Sequence, residues 1–522
     1  MKPKYCIDHW GRRAFPIALF GFGAVLWYLF VLHTHFKLED AFITFRYSAN
    51  LVNGDGFVFN PGERVLGTTT PLQTVILALF ALPFGPESIP SVASAIMPLF
   101  GLLAGLVAYY VLVSRNIPPS AAALGVLFIY AHVAIIRTGI GGMETPLVLL
   151  LMALSLWALV RGKPMAVAAF SALLILCRVD GFIWVGLLFV SGLFQFERRI
   201  VLKQIAVFAA ILLPWIVFAT LYYGTPIPNS VLAKGVVRPD MENILLDPER
   251  LTRYAIWFAQ GTGMKWNPWI MPFWLALLGL GARRLLRDSP TQLGLLVAFP
   301  PLYALTMYFG RSPRFEWYLV PITFCTLLLA GVGVYELYRA ASRLVPVRIS
   351  RATPYIGLAL VLIVTGQVYC RNSVPVMLRH LRMAQENEDG LRRDVGLWLR
   401  ANTPANATVA MEAIGYQGFY SQRHIIDMAG LVTPESVNYK RLTRRNGQIF
   451  DWILRDFKPD YIVLRSFEVD TNRHFNGGPL FLTPWKEQQF HATYTEVGRF
   501  VAPYPKSAPL VRHLTIYERR VE

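Results

Sequence analysis

The sequence predicts a polytopic α-helical membrane protein that ends in a smaller α/β domain outside the membrane. Of its 522 residues, 54% are hydrophobic and only 16% are charged, a composition more apolar than that of soluble domains. Apolar segments long enough to cross a bilayer recur along the chain, and mixed polar sequence returns after residue 370. We therefore predict a transmembrane domain over residues 1–370 and an extracytoplasmic soluble α/β domain over residues 371–522.

The apolar segments define the transmembrane part. A helix needs about 20 residues to cross the hydrocarbon core, and on that measure we expect about eleven spans. They are Ala14–Leu32, Ser91–Val113, Ser120–Ile136, Thr145–Val160, Pro164–Cys177, Gly181–Phe196, Ile205–Tyr223, Trp269–Leu280, Leu293–Phe309, Trp317–Leu337 and Pro354–Tyr369. The first is predicted to be an uncleaved signal-anchor. Pro71–Gly85 is too short to cross, which favours a re-entrant or interfacial helix with Thr70 as its N-cap.

Positive charge lies at the N-terminus and in every second loop, at Arg115, Arg161, Lys163, Arg198, Arg199, Arg283, Arg284, Arg339 and Arg343. Cytoplasmic loops carry such an excess. We therefore expect these loops inside, the alternate loops and the C-terminal domain outside, and a location in the cytoplasmic (inner) membrane. The net charge of +18 is then explained by basic residues in cytoplasmic loops and next to lipid headgroups. Without a basic stripe or a recognition motif, nucleic acid is not expected as a partner.

The region after residue 370 has the pattern of a small α/β domain. "TVAMEA", "RHIIDMAG" and "HLTIYERR" predict strands, and "DGLRRDVGLWLRANTP" predicts an amphipathic helix. "GQIFDWILRDFKPDYIVLRS" predicts a helix that leads into a strand. "GYQGFYSQRHIIDMAGL" is compatible with a glycan contact or with a glycine-rich strand turn. A region of about 150 residues can have a core of its own.

The first outer loop, residues 33–90, carries more structure than a connection needs. Helical projection over Asp40–Asn53 places Phe42 and Phe45 on an apolar side and Asp40 and Tyr47 on a polar side. This predicts a helix that lies in the interface with its apolar side in lipid. "NGDG" ends the helix, "NPGE" forms a second turn, and "FVF" between them suits a short strand or a lid.

The same loop carries a family resemblance. "EDAFITFRYSANLVNGDGFVFNPGERV" strongly resembles the first extracytoplasmic loop of bacterial GT-C glycosyltransferases, especially the group similar to the mycobacterial terminal arabinofuranosyltransferase. The resemblance continues at "GGMETPL", "CRVDG", "YYGTPIPNSVLAK" and "GYQGFYSQRHIIDMAGL". It implies a GT-C transmembrane fold, a polyprenyl-phosphate sugar donor, and inverting transfer on the outer face to a glycan or glycolipid acceptor. Glu39 stands where the family has its first aspartate, so Asp40 is the better candidate base and Glu39 a supporting or capping neighbour.

Displacement of a polyprenyl phosphate from a sugar needs a base for the acceptor hydroxyl and cations or hydrogen-bond donors for the leaving phosphate. Asp40 is predicted to be the base, and N-capping of the interfacial helix is a compatible second role. Five cations are candidates for the donor phosphate: Arg137, Arg178, Lys234, Arg311 and Arg314. The alternative for the arginines is an interaction with lipid headgroups.

Substrate contacts are predicted at Glu144, Asp180, Tyr223 and Asn229. Glu144 also suits a helix cap, and Asp180 also suits a pair with Arg178.

His33 and His35 lie close to Glu39 and Asp40 in the sequence. These residue types bind zinc or manganese, but interfacial histidines are common at helix ends, so no metal or other cofactor is predicted.

Two other function classes remain open. A transporter or flippase of lipid-linked sugars would also use a charged outer vestibule, whereas a non-catalytic assembly protein would need neither Asp40 nor the arginines.

The alternation of basic loops generates a test of orientation. Single cysteines near Lys440 and near Gln260 should react with a membrane-impermeant thiol reagent in intact cells, because both positions are predicted to face outward. A cysteine near Asp288 should stay unlabelled until the cells are opened. Labelling of the Asp288 position alone would reverse the topology.

Overall fold

The computed structural model describes residues 6–235, 248–261, 271–310, 314–344, 374–443, 445–473, 478–505 and 511–520. The predicted span Pro354–Tyr369 lies outside these residues, as do the first two residues of the predicted span Trp269–Leu280. The chain divides into two compact units. The first unit comprises Met1–His33, Ser94–Leu213 and Asp240–Arg379, and the second comprises Thr34–Ala93, Pro214–Pro239 and His380–Glu522.

Helices dominate the chain up to residue 344. In order they are α1 (Cys6–Thr34), α2 (Ala41–Asn53), α3 (Pro71–Ala81), α4 (Ile89–Ser114), α5 (Pro119–Ala131), α6 (Val133–Ile140), α7 (Thr145–Val160), α8 (Pro164–Cys177), α9 (Phe182–Leu193), α10 (Arg198–Tyr223), α11 (Asn229–Gly235), α12 (Pro248–Gly261), α13 (Met271–Asp288), α14 (Gly294–Phe309) and α15 (Glu316–Leu344). Short 3₁₀ turns precede α4 and α9, at Pro86–Ser88 and Val179–Gly181.

Within the described ranges, four helices are long and apolar enough to cross a membrane, over Phe15–Thr34, Pro86–Ser114, Arg198–Tyr223 and Glu316–Ser342. Shorter apolar helices occupy several other predicted spans, among them α7, α8 and α14. Two helices, α5 and α6, occupy the predicted span Ser120–Ile136. Together they are apolar enough to cross, but they meet at a 58° bend, because His132 between them has an extended backbone. The chain is a multi-pass membrane protein, and the count of eleven spans stays a prediction.

Helix α15 packs closely against two other helices of the first unit. A Cβ atom at Gly331 would lie 2.2 Å from the backbone nitrogen of Gly125 in α5, and one at Gly333 would lie 2.0 Å from the carbonyl oxygen of Leu277 in α13. Small residues let helix backbones approach to such distances in membrane proteins. The glycines of α15 therefore determine how closely these three helices pack.

The C-terminal region of the second unit contains a mixed five-stranded sheet in the order β2-β1-β3-β5-β4. The strands are β1 (Thr408–Met411), β2 (His424–Asp427), β3 (Tyr461–Arg465), β4 (Tyr494–Val501) and β5 (His513–Arg519). Strand β1 is parallel to β2 and β3, and β5 is antiparallel to β3 and β4. The four strands predicted from the sequence are confirmed. The sequence does not predict the edge strand β4, because half of its residues are exposed, only one is buried and its apolar pattern is weak.

The helices that follow residue 373 are α16 (Val374–Glu388), α17 (Asp394–Asn402), α18 (Ile414–Ser421), α19 (Pro434–Leu442), α20 (Asn446–Phe457), α21 (Ser466–Asp470) and α22 (Pro484–Thr493). A π-helical turn, Asp389–Arg393, joins α16 to α17. This turn and α17 occupy the stretch predicted as an amphipathic helix. The predicted glycine-rich strand turn is wrong, because "GYQGFYS" lies in α18 and is largely buried.

Helix α2 is buried by protein on nearly all sides, so the predicted placement of its apolar side in lipid is wrong. The ring of Phe42 lies 3.8 Å from that of Tyr416 and 5.4 Å from that of Phe419, both in α18. As predicted, the helix ends at Gly54, whose φ of 84° is in the left-handed region. The "FVF" segment is buried and irregular rather than a strand, and the Asn50 side chain donates to its carbonyl groups.

Helix α3 confirms a short apolar helix that begins at Pro71. Thr70 occupies the N-cap position, but its side chain makes no capping hydrogen bond. Instead, its hydroxyl oxygen lies 3.0 Å from that of Thr44 and 3.1 Å from that of Thr68. The predicted cap is therefore wrong, and the hydroxyl belongs to a contact between α2 and the segment before α3.

Arg46 connects α2 to the C-terminal region. Its side chain is buried and donates from Nε to Phe59 O (2.7 Å), from Nη1 to Gly418 O (2.7 Å) and from Nη2 to Arg423 O (2.6 Å). All three acceptors are backbone carbonyl groups, from the first loop, from α18 and from the residue before β2. A buried cation is tolerated only where its donors are satisfied in this way.

Replacement of Arg46 tests this connection. Arg46→Lys keeps the charge but loses the planar set of donors, leaving carbonyl groups unpaired, and it should destabilise the unit by roughly 1–3 kcal/mol. Thermal unfolding in detergent measures the change, with Arg441→Lys on the exposed side of α19 as the matched control. Equal unfolding temperatures for the two variants would contradict the assigned role of Arg46.

Candidate active site

The carboxylate pair of the first loop lies at the start of α2. Asp40 has helical backbone angles, φ −61° and ψ −26°, and its side chain makes no capping hydrogen bond. The predicted N-capping role of Asp40 is therefore wrong. Asp40 is partly exposed, and no hydrogen bond or ion pair to another described residue occupies its carboxylate. This leaves the Asp40 carboxylate available to a substrate.

Glu39 has a different environment, although it is the adjacent residue. Its Oε1 atom accepts a 2.5 Å hydrogen bond from the backbone nitrogen of Gly415 in α18. Burial of the carboxyl group raises the pKa of Glu39 to about 8. The charge of Arg392 and the Gly415 N–H group lower this pKa, whereas the charges of Asp40 and Glu388 raise it further. Two neighbouring carboxyl groups with unlike environments are suited to different tasks.

The histidines near this pair are exposed. His33 Nδ1 lies 3.0 Å from Leu29 O, within its own helix, and His35 has a left-handed backbone with φ of 50°. Across the parts of the chain that the structure describes, no group of three or more His, Cys, Asp or Glu side chains could hold a metal ion. The prediction that no metal is bound stays a prediction.

A second polar cluster lies in the first unit around Arg178. The Arg178 guanidinium binds Asp180 with two hydrogen bonds of 2.9 and 2.8 Å, and Nη1 lies 3.5 Å from Glu144 Oε1. The ring of Tyr318 is 4.7 Å away. Glu144 precedes α7 but makes no side-chain capping bond, so its predicted cap is wrong. A phosphate at Arg178 would have to compete with two carboxylates.

The structure describes the side chains of two of the other four candidate phosphate ligands, Arg137 and Arg314. Arg137 is paired with Glu316 at 2.5 Å, and both side chains are more than a third exposed. Arg314 is exposed, with its guanidinium 5.9 Å from the ring centre of Tyr254. Arg311 lies outside the described residues. Lys234 is in α11, but its side chain lies outside the description. Phosphate binding by these residues stays a prediction.

Tyr223 and Asn229 support the first loop. The Tyr223 hydroxyl donates to Phe57 O at 2.6 Å. Asn229 Nδ2 donates to Gly430 O at 2.7 Å, and the backbone nitrogen of Asn229 donates to Leu66 O at 2.7 Å. The acceptors of these hydrogen bonds all lie in the second unit, so both residues stabilise the structure of this unit. A sugar contact for either residue stays a prediction.

Sequence reasoning did not identify Gly415 and Arg392 as neighbours of Glu39. No local pattern could have done so, because Gly415 lies 376 residues further along the chain. The available signal was indirect: "GYQGFYSQRHIIDMAGL", which contains Gly415, is one of the segments that carry the family resemblance.

Solved structures of membrane glycosyltransferases share this fold. ArnT from Cupriavidus metallidurans, crystallised with undecaprenyl phosphate, aligns with a TM-score of 0.55 at 13% identity over 96% of this chain and 97% of its own. The oligosaccharyltransferase of Archaeoglobus fulgidus, in complex with zinc and sulfate, aligns with a TM-score of 0.55 at 14% identity over 86% and 68%. Both are GT-C glycosyltransferases. The chain therefore has the GT-C fold.

Sequence comparison indicates the same group. The terminal β-(1→2)-arabinofuranosyltransferase of Mycobacterium tuberculosis is 27% identical over 270 residues, which cover 47% of this chain and 41% of that protein. The match thus spans less than half of this relative. A family model described as a domain of unknown function, DUF8728, matches residues 379–517. The predicted resemblance to GT-C glycosyltransferases of the arabinofuranosyltransferase type is confirmed.

The environment of Glu39 predicts a pH-dependent stability. Its pKa is about 8 in the folded chain and near 4.5 in the absence of such surroundings. The folded state therefore holds this proton more tightly, and its stability relative to the unfolded state falls as pH rises from about 4.5 to about 8. Glu39→Gln has no proton to lose, so its advantage in unfolding temperature over the wild type should grow across this window and then level off. A constant difference between the two proteins would contradict the assignment.

Proposed function

We propose that the protein is an inverting glycosyltransferase, which transfers a sugar from a polyprenyl-phosphate donor to a cell-envelope acceptor. The observation that carries the proposal is the Asp40 carboxylate, which is available at the rigid start of α2 while its neighbour Glu39 is engaged. Supporting this, the fold is that of GT-C glycosyltransferases, and ArnT, which shares it, was crystallised with undecaprenyl phosphate.

In the proposed reaction, Asp40 takes the proton of the acceptor hydroxyl as that oxygen attacks the anomeric carbon. The bond between this carbon and the phosphate oxygen breaks on the opposite side, so the configuration inverts and polyprenyl phosphate leaves. Cationic side chains stabilise the charge on the leaving phosphate. Arg311, Arg314, Arg137 and Lys234 are candidates for this task, whereas Arg178 is already bound to two carboxylates.

We place the reaction at the outer face of the cytoplasmic membrane, with the C-terminal region extracytoplasmic. The alternation of basic loops supports this orientation. The alternative, a transporter or flippase of lipid-linked sugars, is not favoured, because the relatives are glycosyltransferases. Release of lipid phosphate from a labelled polyprenyl-phosphate sugar by the purified protein distinguishes the two, since a flippase leaves its lipid intact.

Replacement of Asp40 tests the base. Asn has nearly the same shape but cannot accept a proton, so Asp40→Asn should fold, bind donor as before and lose turnover by about 10² to 10⁴. Lipid phosphate release measures turnover, and Glu39→Gln is the matched control, because it should lose much less. An inactive Glu39→Gln beside an active Asp40→Asn would move the base to Glu39. Activity in both variants would place proton removal at another residue.

A further inference from the structure

The segment that leads into α2 and the first turn of this helix contact three residues of the C-terminal region, Gln385, Gly415 and Tyr416. The charges of Glu388 and Arg392 act on Glu39 as well, and we name these five residues the C-terminal clamp. The backbone nitrogen of Lys37 donates to Gln385 Oε1 at 2.7 Å. The Gly415 nitrogen donates to Glu39, and the Tyr416 ring packs on Phe42. Hydrogen bonds thus reach both residue 37 and residue 39, and an aromatic contact secures residue 42.

The closest of these contacts is at Gly415. A Cβ atom there would lie 2.1 Å from the backbone oxygen of Glu39 and 2.7 Å from its Oε1 atom. The helix therefore approaches Glu39 more closely than any side chain allows. The backbone oxygen of Glu39 also accepts the Phe42 N–H in the first turn of α2. Because Asp40 belongs to the same turn, a displacement of Glu39 displaces Asp40.

Arg392 is the positively charged residue of the C-terminal clamp. It follows α16 in the π-helical turn and forms an ion pair with Glu388. Its side chain is 15% exposed, and its Nε atom is buried with no hydrogen-bond partner among the residues that the structure describes. Burial lowers the pKa of this guanidinium, but the charges of Glu388 and Glu39 raise it above its ordinary value. Arg392 therefore stays charged, and its charge acts on Glu39, the residue before Asp40, as well as on Glu388.

We propose that Arg392 and Gly415 are positioning residues for Asp40, which act by fixing the Glu39 carboxyl group at the start of α2. This inference rests on the proposed function. It gives a role to residues 379–517, which match a domain of unknown function: they complete the catalytic loop. Arg392 acts through Glu39 rather than on the substrate.

The charged groups around Glu39 predict a signature that a purely structural role would not produce. Asp40 from its own segment, Glu388 and Arg392 from the clamp, and the N–H group of Gly415 all act on this carboxyl group. Loss of the Arg392 charge should raise the pKa of Glu39, and loss of the Glu388 charge should lower it. Ionisation of Glu39 changes the charge beside Asp40, so the rate should show an inflection near pH 8 that moves in opposite directions in the two variants.

The experiment measures kcat and KM by lipid phosphate release, with a labelled polyprenyl-phosphate sugar that the wild type turns over, between about pH 6 and pH 10. In Arg392→Gln, kcat should fall by roughly 10- to 100-fold with little change in KM, because the base is misplaced and donor binding is not. Arg392→Lys should recover part of the loss. The inflection should move to higher pH in Arg392→Gln, move to lower pH in Glu388→Gln, and disappear in Glu39→Gln.

The matched control is Arg382→Gln. Arg382 forms the same type of pair with Glu386, four residues on in α16, but it is exposed, so its loss should change neither kcat nor the pH profile. A wild-type kcat and profile in Arg392→Gln would overturn the inference. If Arg392→Gln does not fold, an unshifted inflection in Glu388→Gln overturns it. A wild type that releases no lipid phosphate from any donor would instead reject the glycosyltransferase function, and the inference with it.

Discussion

Burial of α2 is the constraint on which the rest of the second unit depends. An interfacial helix needs only one covered side, whereas this helix carries Arg46 into the interior, where every donor must find an acceptor. The acceptors are carbonyl groups of the first loop, of α18 and of the residue before β2. Loop and sheet must therefore form together. The rigidity of the residues before α2, including the carboxylate pair, is a consequence of this shared interior.

The same interior separates the two carboxyl groups chemically. Glu39 accepts a hydrogen bond from the Gly415 N–H group of α18, and burial of its carboxyl group raises its pKa, whereas the Asp40 carboxylate has no such partner among the described residues. Successive side chains at a helix start point about 100° apart, which is enough for Glu39 to meet the Gly415 N–H group while Asp40 does not. The unlike properties of the pair follow from helical geometry and do not need a difference in residue type.

Local features of the fold could be predicted from the sequence, and long-range contacts could not. Strands β1, β2, β3 and β5 and the end of α2 at Gly54 follow from alternation and turn chemistry over a few residues. The burial of Phe42 and Phe45 was missed, because an apolar helix side looks the same whether lipid or protein covers it. The capping roles expected for Thr70, Asp40 and Glu144 failed for a related reason: position suggests a cap, but tertiary partners decide where a side chain points.

The candidate site shows the same division. The first-loop motif was sufficient to identify Asp40 and the GT-C group, because its spacing is local and specific. The partners of Glu39 come from residues hundreds of positions away, and Arg178 is hydrogen-bonded to Asp180 and paired with Glu144. Composition and spacing show that a cation is present. They do not show whether a carboxylate has already neutralised it.

The sequence separation of these contacts has a consequence for biosynthesis. Arg46 binds the carbonyl group of Arg423, which lies 377 residues further along the chain. At a synthesis rate of about 5–20 residues per second, the acceptor emerges roughly 20–75 s after the arginine. During that interval α2 lacks the partners that satisfy its buried cation, so the first loop cannot reach its final structure before the segment that contains Arg423 has emerged. A nascent chain cut short before β2 would contain every residue of the catalytic loop and still be unable to fold it, which couples the structure of the loop to synthesis of the C-terminal region.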